Sequence, residues 1–341
     1  MASFPREQWY VAAYSQEVGG ELLARTICNE PVVLYRTGDG TAVALNDRCV
    51  HRRFPLSQGN RDGDLLICGY HGFTYDPSGT CVAVPGQTRI PRTARVPAYH
   101  LVEQDSLVWI WIGDGPPAPE TTIPRAPWLD GPGWVSVRGM EPLRARHGLL
   151  ADNLLDLSHE TYLHAGYIGT PEVAATPITT EVDEESGVVR VSRRMKDVEC
   201  PPFYATSTGI EGRIDRWQDI EYHPPCLYLL HSRIAPTGVE PGPSADPDAF
   251  HAEIVYALTP ETDTSTHDFW MVARDFALDS EEVSEFLASN NRTVVLQDVH
   301  ALNLLEEVIA AEPPGFQELS INIDTGGLAA RRLLQKQASQ S

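Results

Sequence analysis

A chain of 341 residues with a formal charge of −21 has room for two compact domains and repels phosphate, which excludes nucleic acid and disfavours anionic membranes as partners. Its 42% apolar content is ordinary for a globular protein that builds its core without staples. No run approaches the roughly 20 apolar residues of a membrane helix, and MASFPREQWYVAAYSQEVGG lacks the basic start and apolar core of a signal peptide. The expected compartment is the cytoplasm, where cysteines close to histidines suggest metal rather than disulfides.

From Trp9 to Ile112 the chain reads as short strands (PVVLYR, TAVALN, DLLICGY, TCVAVPG, SLVWIWIG) separated by the turn sequences TGDG, NRDGD and DPSG. That is a small all-β domain. A Pro-rich connection, Gly113 to Pro127, follows it, and the expected domains are residues 1–115 and 116–341. Beyond it the types mix into an α+β pattern. Leu149 to about Leu163 reads as a helix with an unusual load of polar groups, and ITTEV and VVRVSRRM read as a hairpin around DEESG. Further strands are expected at Asp219–Tyr222, Leu227–His231, Ala252–Leu258 and Asp268–Val272, with an exposed loop around Glu240 to Asp248. A long helix is expected from about Glu281 to Ala311, with a break near Asn290.

The strongest chemical signal is CVHRRF followed by CGYHGF. Cys49-x-His51 is separated by sixteen residues from Cys68-x-x-His71, and each half pairs a thiolate with an imidazole on a tight turn. Two Cys and two His fit zinc or a [2Fe–2S] cluster of the Rieske kind. Zinc fingers usually put both Cys on one turn and both His on another. One of each per turn favours the cluster, where two thiolates hold one iron and two imidazoles the other. Cys28, Cys81, Cys200 and Cys226 lack such partners and read as buried small residues.

A second constellation lies in DNLLDLSHETYLHAGYIG. Asn153, Asp156 and His159 follow the i, i+3, i+6 spacing of one helix face, but His164 would point about 140° away from His159. For both imidazoles to reach one ion, the helix must loosen between them and stop near Ala165-Gly166. Two His and one carboxylate make the facial triad of non-haem ferrous oxygenases. Asp298 is the best third ligand: it lies on the apolar stripe of Val294, Val295, Leu302 and Leu305, where a carboxylate needs a cation.

These two motifs resemble those of the Rieske non-haem iron oxygenases. WYVAAYSQEV, ICGYHGFTYDPSGTCVAVPGQ, TPETDTSTHDFWMVARDF and LSINIDTGG extend the resemblance over most of the chain, toward the vanillate O-demethylase oxygenase branch. The resemblance implies a Rieske domain followed by an α+β catalytic domain, with an antiparallel sheet and helices that carry mononuclear Fe(II). It implies a cluster on Cys49, His51, Cys68 and His71, and iron on His159, His164 and Asp298. It also implies a head-to-tail homotrimer, in which Asp156 hydrogen-bonds His159 of its own subunit and His71 of a neighbour, while Asn153 approaches the iron or bonds backbone. One departure is Gln297, where the family leads to an acidic residue before the aspartate.

The implied reaction is demethylation of a methoxylated aromatic acid such as vanillate, with O2 and electrons from NADH passed on by a flavin and ferredoxin-type reductase. Dicamba-like and toluenesulfonate-like substrates share the same iron motifs, and a non-catalytic Rieske electron carrier is the rival from another class. Tyr256 and Trp270 either flank a substrate ring or pack as core; Arg233 or Arg274 either meets a carboxylate or serves elsewhere. Arg48, Arg52 and Arg53 form a basic cluster that faces either an acidic electron donor or a subunit contact.

Overall fold

The computed structural model describes residues 4–241, 246, 248–313 and 315–340, so much of the loop expected around Glu240 to Asp248 lies outside the described residues. Two compact units emerge. One comprises Arg6–Ile123 with Glu261–Asp263, the other chiefly Pro124–Pro260 and Thr264–Ser341. The first unit runs past residue 115 because its N-terminal strand holds the start of the Pro-rich connection. Glu7 accepts from the Asp114 and Gly115 amides, and Trp9 Nε1 donates to the Ala118 carbonyl.

The first unit is all β. Its strands are β1 (Gln8–Tyr14), β2 (Leu23–Ile27), β3 (Glu30–Arg36), β4 (Ala42–Asn46), β5 (Asn60–Asp62), β6 (Leu65–Ile67), β7 (Thr74–Tyr75), β8 (Cys81–Ala83), β9 (Leu101–Gln104) and β10 (Leu107–Ile112). They form three antiparallel sheets in the orders β1-β10-β9, β2-β3-β4 and β5-β6-β7-β8. LVWIWI in β10 is buried at every position, as a strand covered on both faces requires. Val33, Tyr35, Leu45, Leu66, Tyr75 and Val96 build a core that also takes in Cys49 and Cys68. The DPSG turn is pinned by Asp76, whose Oδ1 accepts from the Ser78 and Thr80 amides at 2.9 and 3.1 Å. Gly79 is needed there: its φ is +77°, and an added Cβ would sit 2.2 Å from the Val96 carbonyl oxygen.

The second unit sets helices against one large sheet. Its strands are β11 (Val135–Leu143), β12 (Thr179–Asp183), β13 (Val188–Glu199), β14 (Arg213–His223), β15 (Leu227–Pro236), β16 (Phe250–Thr262) and β17 (Ser265–Arg274), in the order β11-β17-β16-β15-β14-β13-β12. Its helices are α1 (His147–Leu155), α2 (Glu160–Leu163), α3 (Pro171–Ala175), α4 (Pro202–Thr208), α5 (Glu281–Ala311) and α6 (Thr325–Gln340). Alternate residues of the central strands, among them Ile220, Tyr222, Leu230, Tyr256 and Leu258, pack against Leu150, Leu154, Leu287, Val295 and Leu302 of α1 and α5. The ITTEV–VVRVSRRM hairpin is β12–β13, and the other four expected strands appear longer at one or both ends.

Two helix expectations are corrected. α5 is continuous through Asn290, whose Nδ2 bonds back to the Phe286 carbonyl one turn earlier without opening the helix. The helix expected to run from Leu149 to Leu163 breaks at Asp156, before either histidine, instead of near Ala165-Gly166. Asp156 has φ −120° and ψ 92°, and its carboxylate accepts from the Ser158 amide at 2.8 Å. This side chain offers the backbone a turn in place of the next helical bond. The chain restarts as a short turn at Leu157–His159 and continues into α2, which ends at Leu163.

Candidate metal centres

The two Cys–His loops of the first unit are built alike. In the loop between β4 and β5, Cys49 N bonds the Phe54 carbonyl and Arg53 N returns to the Cys49 carbonyl, both at 2.9 Å. In the loop between β6 and β7, Cys68 N bonds the Phe73 carbonyl at 2.8 Å and Gly72 N returns to Cys68 at 3.0 Å. The fifth residue of each turn takes the left-handed conformation, Arg53 at φ +61° and Gly72 at +71°. The cysteines face the core and the histidines face outward. His51 and His71 approach edge to face with centroids 4.6 Å apart, and Phe73 stacks under His51 at 4.8 Å. Tyr75 Oη lies 3.1 Å from Cys49 Sγ. Burial raises the Cys68 thiol's pKa, so a free thiolate is disfavoured there.

The donor set, one thiol and one imidazole on each of two like-built turns, suits a two-iron cluster in which two thiolates hold one iron and two imidazoles the other. Among the described residues, His159, His164 and Asp298 form a group whose ligand atoms all lie within 4.8 Å of one another.

In the second unit the turn at Asp156 and the end of α2 bring His159 and His164 together, with centroids 5.1 Å apart. Their Nε2 atoms lie 3.5 and 3.2 Å from Asp298 Oδ1, on the buried face of α5. Each Nδ1 has an acceptor: the Asp156 carbonyl at 2.5 Å from His159 and Gln297 Oε1 at 2.8 Å from His164. A carbonyl can only accept, so the Nδ1 positions carry the protons and both Nε2 lone pairs converge on the carboxylate. Three converging acceptors are unfavourable without a cation. Burial works against a charged His164, but Asp298 outweighs it and raises the pKa. This donor set fits a divalent iron.

Asn153 belongs to the same group: its Nδ2 donates to Asp298 Oδ1 at 3.1 Å and fixes the carboxylate's orientation. Asp156 does reach His159, but through its main-chain carbonyl, while its carboxylate Oδ1 accepts from the Ser158 amide. Gln297 marked a departure in the sequence and turns out to be the residue that orients His164. Of the apolar stripe inferred for α5, Val294, Val295 and Leu302 are buried, whereas Leu305 is exposed.

A cavity beside the triad is lined by apolar side chains including Leu154, Ile168, Phe203, Ile254 and Val294, and by Tyr228, Tyr256, Asn291, Glu160 and Arg216. Tyr256, expected either to flank a substrate ring or to pack as core, lines this cavity. Trp270 is not among the lining residues: it packs over Gly139 of β11, where an added Cβ would stand 2.3 Å from the indole ring. Arg274 is also corrected. It is fully buried and donates to the Phe276, Ala277 and Ser280 carbonyls and to Ser284 Oγ, tying β17 to the start of α5. Arg233 pairs with Asp246 and stacks on Trp217, so it too is committed away from the cavity. Among the described residues the cavity wall carries Arg216, which sequence patterning missed because it shares a buried face of β14 with Ile214, Ile220 and Tyr222.

Residues 143–340 match the vanillate O-demethylase oxygenase C-terminal domain and residues 8–99 the Rieske [2Fe-2S] domain. The vanillate O-demethylase oxygenase subunit of a Pseudomonas species is 36% identical over 98% of this chain and 94% of its own length. The iron-sulfur subunit of the toluene-4-sulfonate monooxygenase system of Comamonas testosteroni is 35% identical over 98% of this chain and 96% of its own. The crystal structure of dicamba monooxygenase bound to 3,6-dichlorosalicylic acid has a TM-score of 0.92 at 29% identity, covering 98% of both chains. Another, with non-haem iron and dicamba, has a TM-score of 0.84 at 28% identity over 99% of this chain and 98% of that one. The chain therefore belongs to the vanillate O-demethylase family of Rieske oxygenases, as an oxidoreductase component that uses a Rieske [2Fe–2S] cluster and a non-haem iron.

Proposed function

We propose that the chain catalyses oxidative O-demethylation of a methoxylated aromatic acid, with vanillate, converted to protocatechuate and formaldehyde, as the first substrate to try. The observation that carries this reading is the convergence of His159 Nε2 and His164 Nε2 on Asp298 beside a largely apolar cavity with tyrosines in its wall. The bound iron, supplied with O2 and single electrons, would provide the oxidising chemistry that a side chain cannot. Cys49, His51, Cys68 and His71 would hold the cluster, and His159, His164 and Asp298 the iron. The protein's own work is positioning. Asn153 fixes Asp298, the Asp156 carbonyl and Gln297 fix the two imidazoles, and the apolar wall keeps bulk water from the methoxy carbon.

Electrons are proposed to come from NADH through a reductase with flavin and ferredoxin-type centres, in the cytoplasm. Asp156 is proposed as the link to His71 of a second copy in a head-to-tail trimer. A second reading keeps the chemistry and changes the substrate, because the toluene-4-sulfonate relative is nearly as similar as the vanillate one. A panel of methoxybenzoates and 4-toluenesulfonate, incubated with NADH, O2 and a compatible reductase, separates them. Formaldehyde from vanillate supports the first reading. Turnover of the sulfonate alone supports the second, and NADH oxidation with no organic product from any compound would sink both.

A further inference from the structure

The cavity beside His159, His164 and Asp298 has one charged wall. Arg193 of β13 and Arg216 and Gln218 of β14 share the inner face of the sheet, where Glu160 of α2 meets them. Arg216 donates to Glu160 Oε2 at 3.0 Å, and Gln218 Nε2 donates to Glu160 Oε1 at 3.0 Å. Both oxygens of the carboxylate are therefore in use. Arg193 is 3% exposed, and among the described residues no carboxylate pairs with it directly. Its Nη1 reaches Gln218 Oε1 at 3.3 Å, and its Nε has no hydrogen-bond partner among the described residues. Asp156, the other carboxylate within electrostatic reach, is bonded to the Ser158 amide. Two buried guanidiniums thus share one buried carboxylate. A buried cation in excess is costly, and a site that retains one is suited to an incoming anion.

Tyr228 connects this charge to the cavity. It is 1% exposed and lines the cavity, and its hydroxyl has no hydrogen-bond partner among the described residues. Arg193, Glu160 and Asp298 all act on it electrostatically, and burial keeps the phenol neutral, hence a donor. Its ring meets that of Tyr256 edge to face at 5.9 Å, which fixes its direction.

We propose that Tyr228 sets substrate specificity by donating its hydroxyl hydrogen bond to the anionic group of an aromatic acid, while Arg193, held by Gln218, supplies the charge that favours the anion over a neutral analogue. This rests on the reading of the cavity as the site of aromatic-acid oxygenation. It adds to that reading the selection of charge, which the metal ligands cannot provide.

The test compares vanillate with its uncharged methyl ester on the holoenzyme, reading equilibrium binding and formaldehyde-forming kinetics for each. Tyr228→Phe should weaken binding of the acid about tenfold or more, since hydrogen bonds to charged groups are the stronger ones, and should leave the ester within about twofold. The loss should appear in KM, with kcat for the acid nearly kept. Arg193→Gln should bring the acid-to-ester preference toward one. An equal loss for acid and ester in Tyr228→Phe, or no loss for either, overturns the proposal. If Arg193→Gln fails to fold, Tyr228→Phe, which removes one oxygen atom, decides alone. Wild-type protein that demethylates vanillate, with an unaltered Tyr228→Phe variant, sinks only the role of Tyr228. Wild-type protein that binds neither compound and releases no formaldehyde sinks the functional reading and this proposal together.

Discussion

Gln297 shows how one side chain can set the chemistry of its neighbour. Its Oε1 accepts from His164 Nδ1 at 2.8 Å and so directs Nε2 toward Asp298. Partners of this kind typically change metal affinity 10- to 100-fold when removed. Gln297→Leu should lose mononuclear iron to a chelator at about tenfold lower concentration, while the visible spectrum of the cluster stays unchanged. Equal retention by both proteins would show that the bond does not orient the ligand. Asp268 is a second case. It is fully buried, and its Oδ1 has no hydrogen-bond partner among the described residues. Burial, reinforced by Asp298 and Glu141, pushes its pKa well above the usual carboxylate range. The folded chain then keeps a proton that the unfolded chain releases above about pH 4, so this residue's contribution to stability falls as pH rises from there toward the folded pKa. Asp268→Asn removes that slope. Its apparent melting temperature relative to wild type should rise between pH 5 and pH 8; parallel curves would mean that Asp268 is ionised in the fold.

At the scale of elements, the segment from α1 to α2 explains both the success and the limits of reading the sequence. The spacing of His159 and His164 required a distortion, and the distortion exists, but Asp156 makes it through a side-chain bond that helical periodicity does not register. Likewise both ends of α5 were legible, because its cap at Ser280, its acidic first turn and its apolar repeat agree, although the break expected near Asn290 does not occur. β11 was not, since VSVRGMEPL has partly buried residues on both faces and no clean alternation. α6 was also missed: its start, TGG, reads as a turn. In the fold Gly326 and Gly327 allow close approach, and added Cβ atoms would lie 2.6 Å from Val191 and 2.8 Å from Asp152. The candidate metal ligands could be picked out because their chemistry narrows residue type. The cavity wall could not, because Tyr228 and Arg216 stand on inner sheet positions that ordinarily hold core. The turn itself can be tested. Asp156→Ala should cost about 1 kcal/mol for the lost cap, whereas Asn can still accept from Ser158 and should cost a few tenths. Both should bind iron, and Asn should be inactive in turnover if the carboxylate links the two centres. A fully active Asp156→Asn would remove that link and leave only the turn.

For the whole molecule the telling feature is where apolar surface remains exposed on a chain of charge −21. Among the described residues Leu304, Leu305, Val308, Phe316, Leu319 and Ile321 are large, apolar and exposed, and they cluster in sequence at the end of α5 and before α6. Leu305 and Leu319 line the same cleft as Asp156 and His159. Exposed apolar residues beside a candidate metal centre suit a contact surface, and the proposed head-to-tail trimer needs one at Asp156. Oligomers lose little folding stability when a single exposed contact residue is charged, yet association suffers from the desolvated charge. Leu319→Asp combined with Leu305→Asp should therefore give a monomer by light scattering, with about three irons per chain and an intact cluster spectrum. NADH-coupled turnover should fall by an order of magnitude or more, because each cluster would lose the iron it serves in a second copy. A trimer that persists with full activity would place the contact elsewhere. A monomer that retains full turnover would mean that electrons reach the iron within one chain.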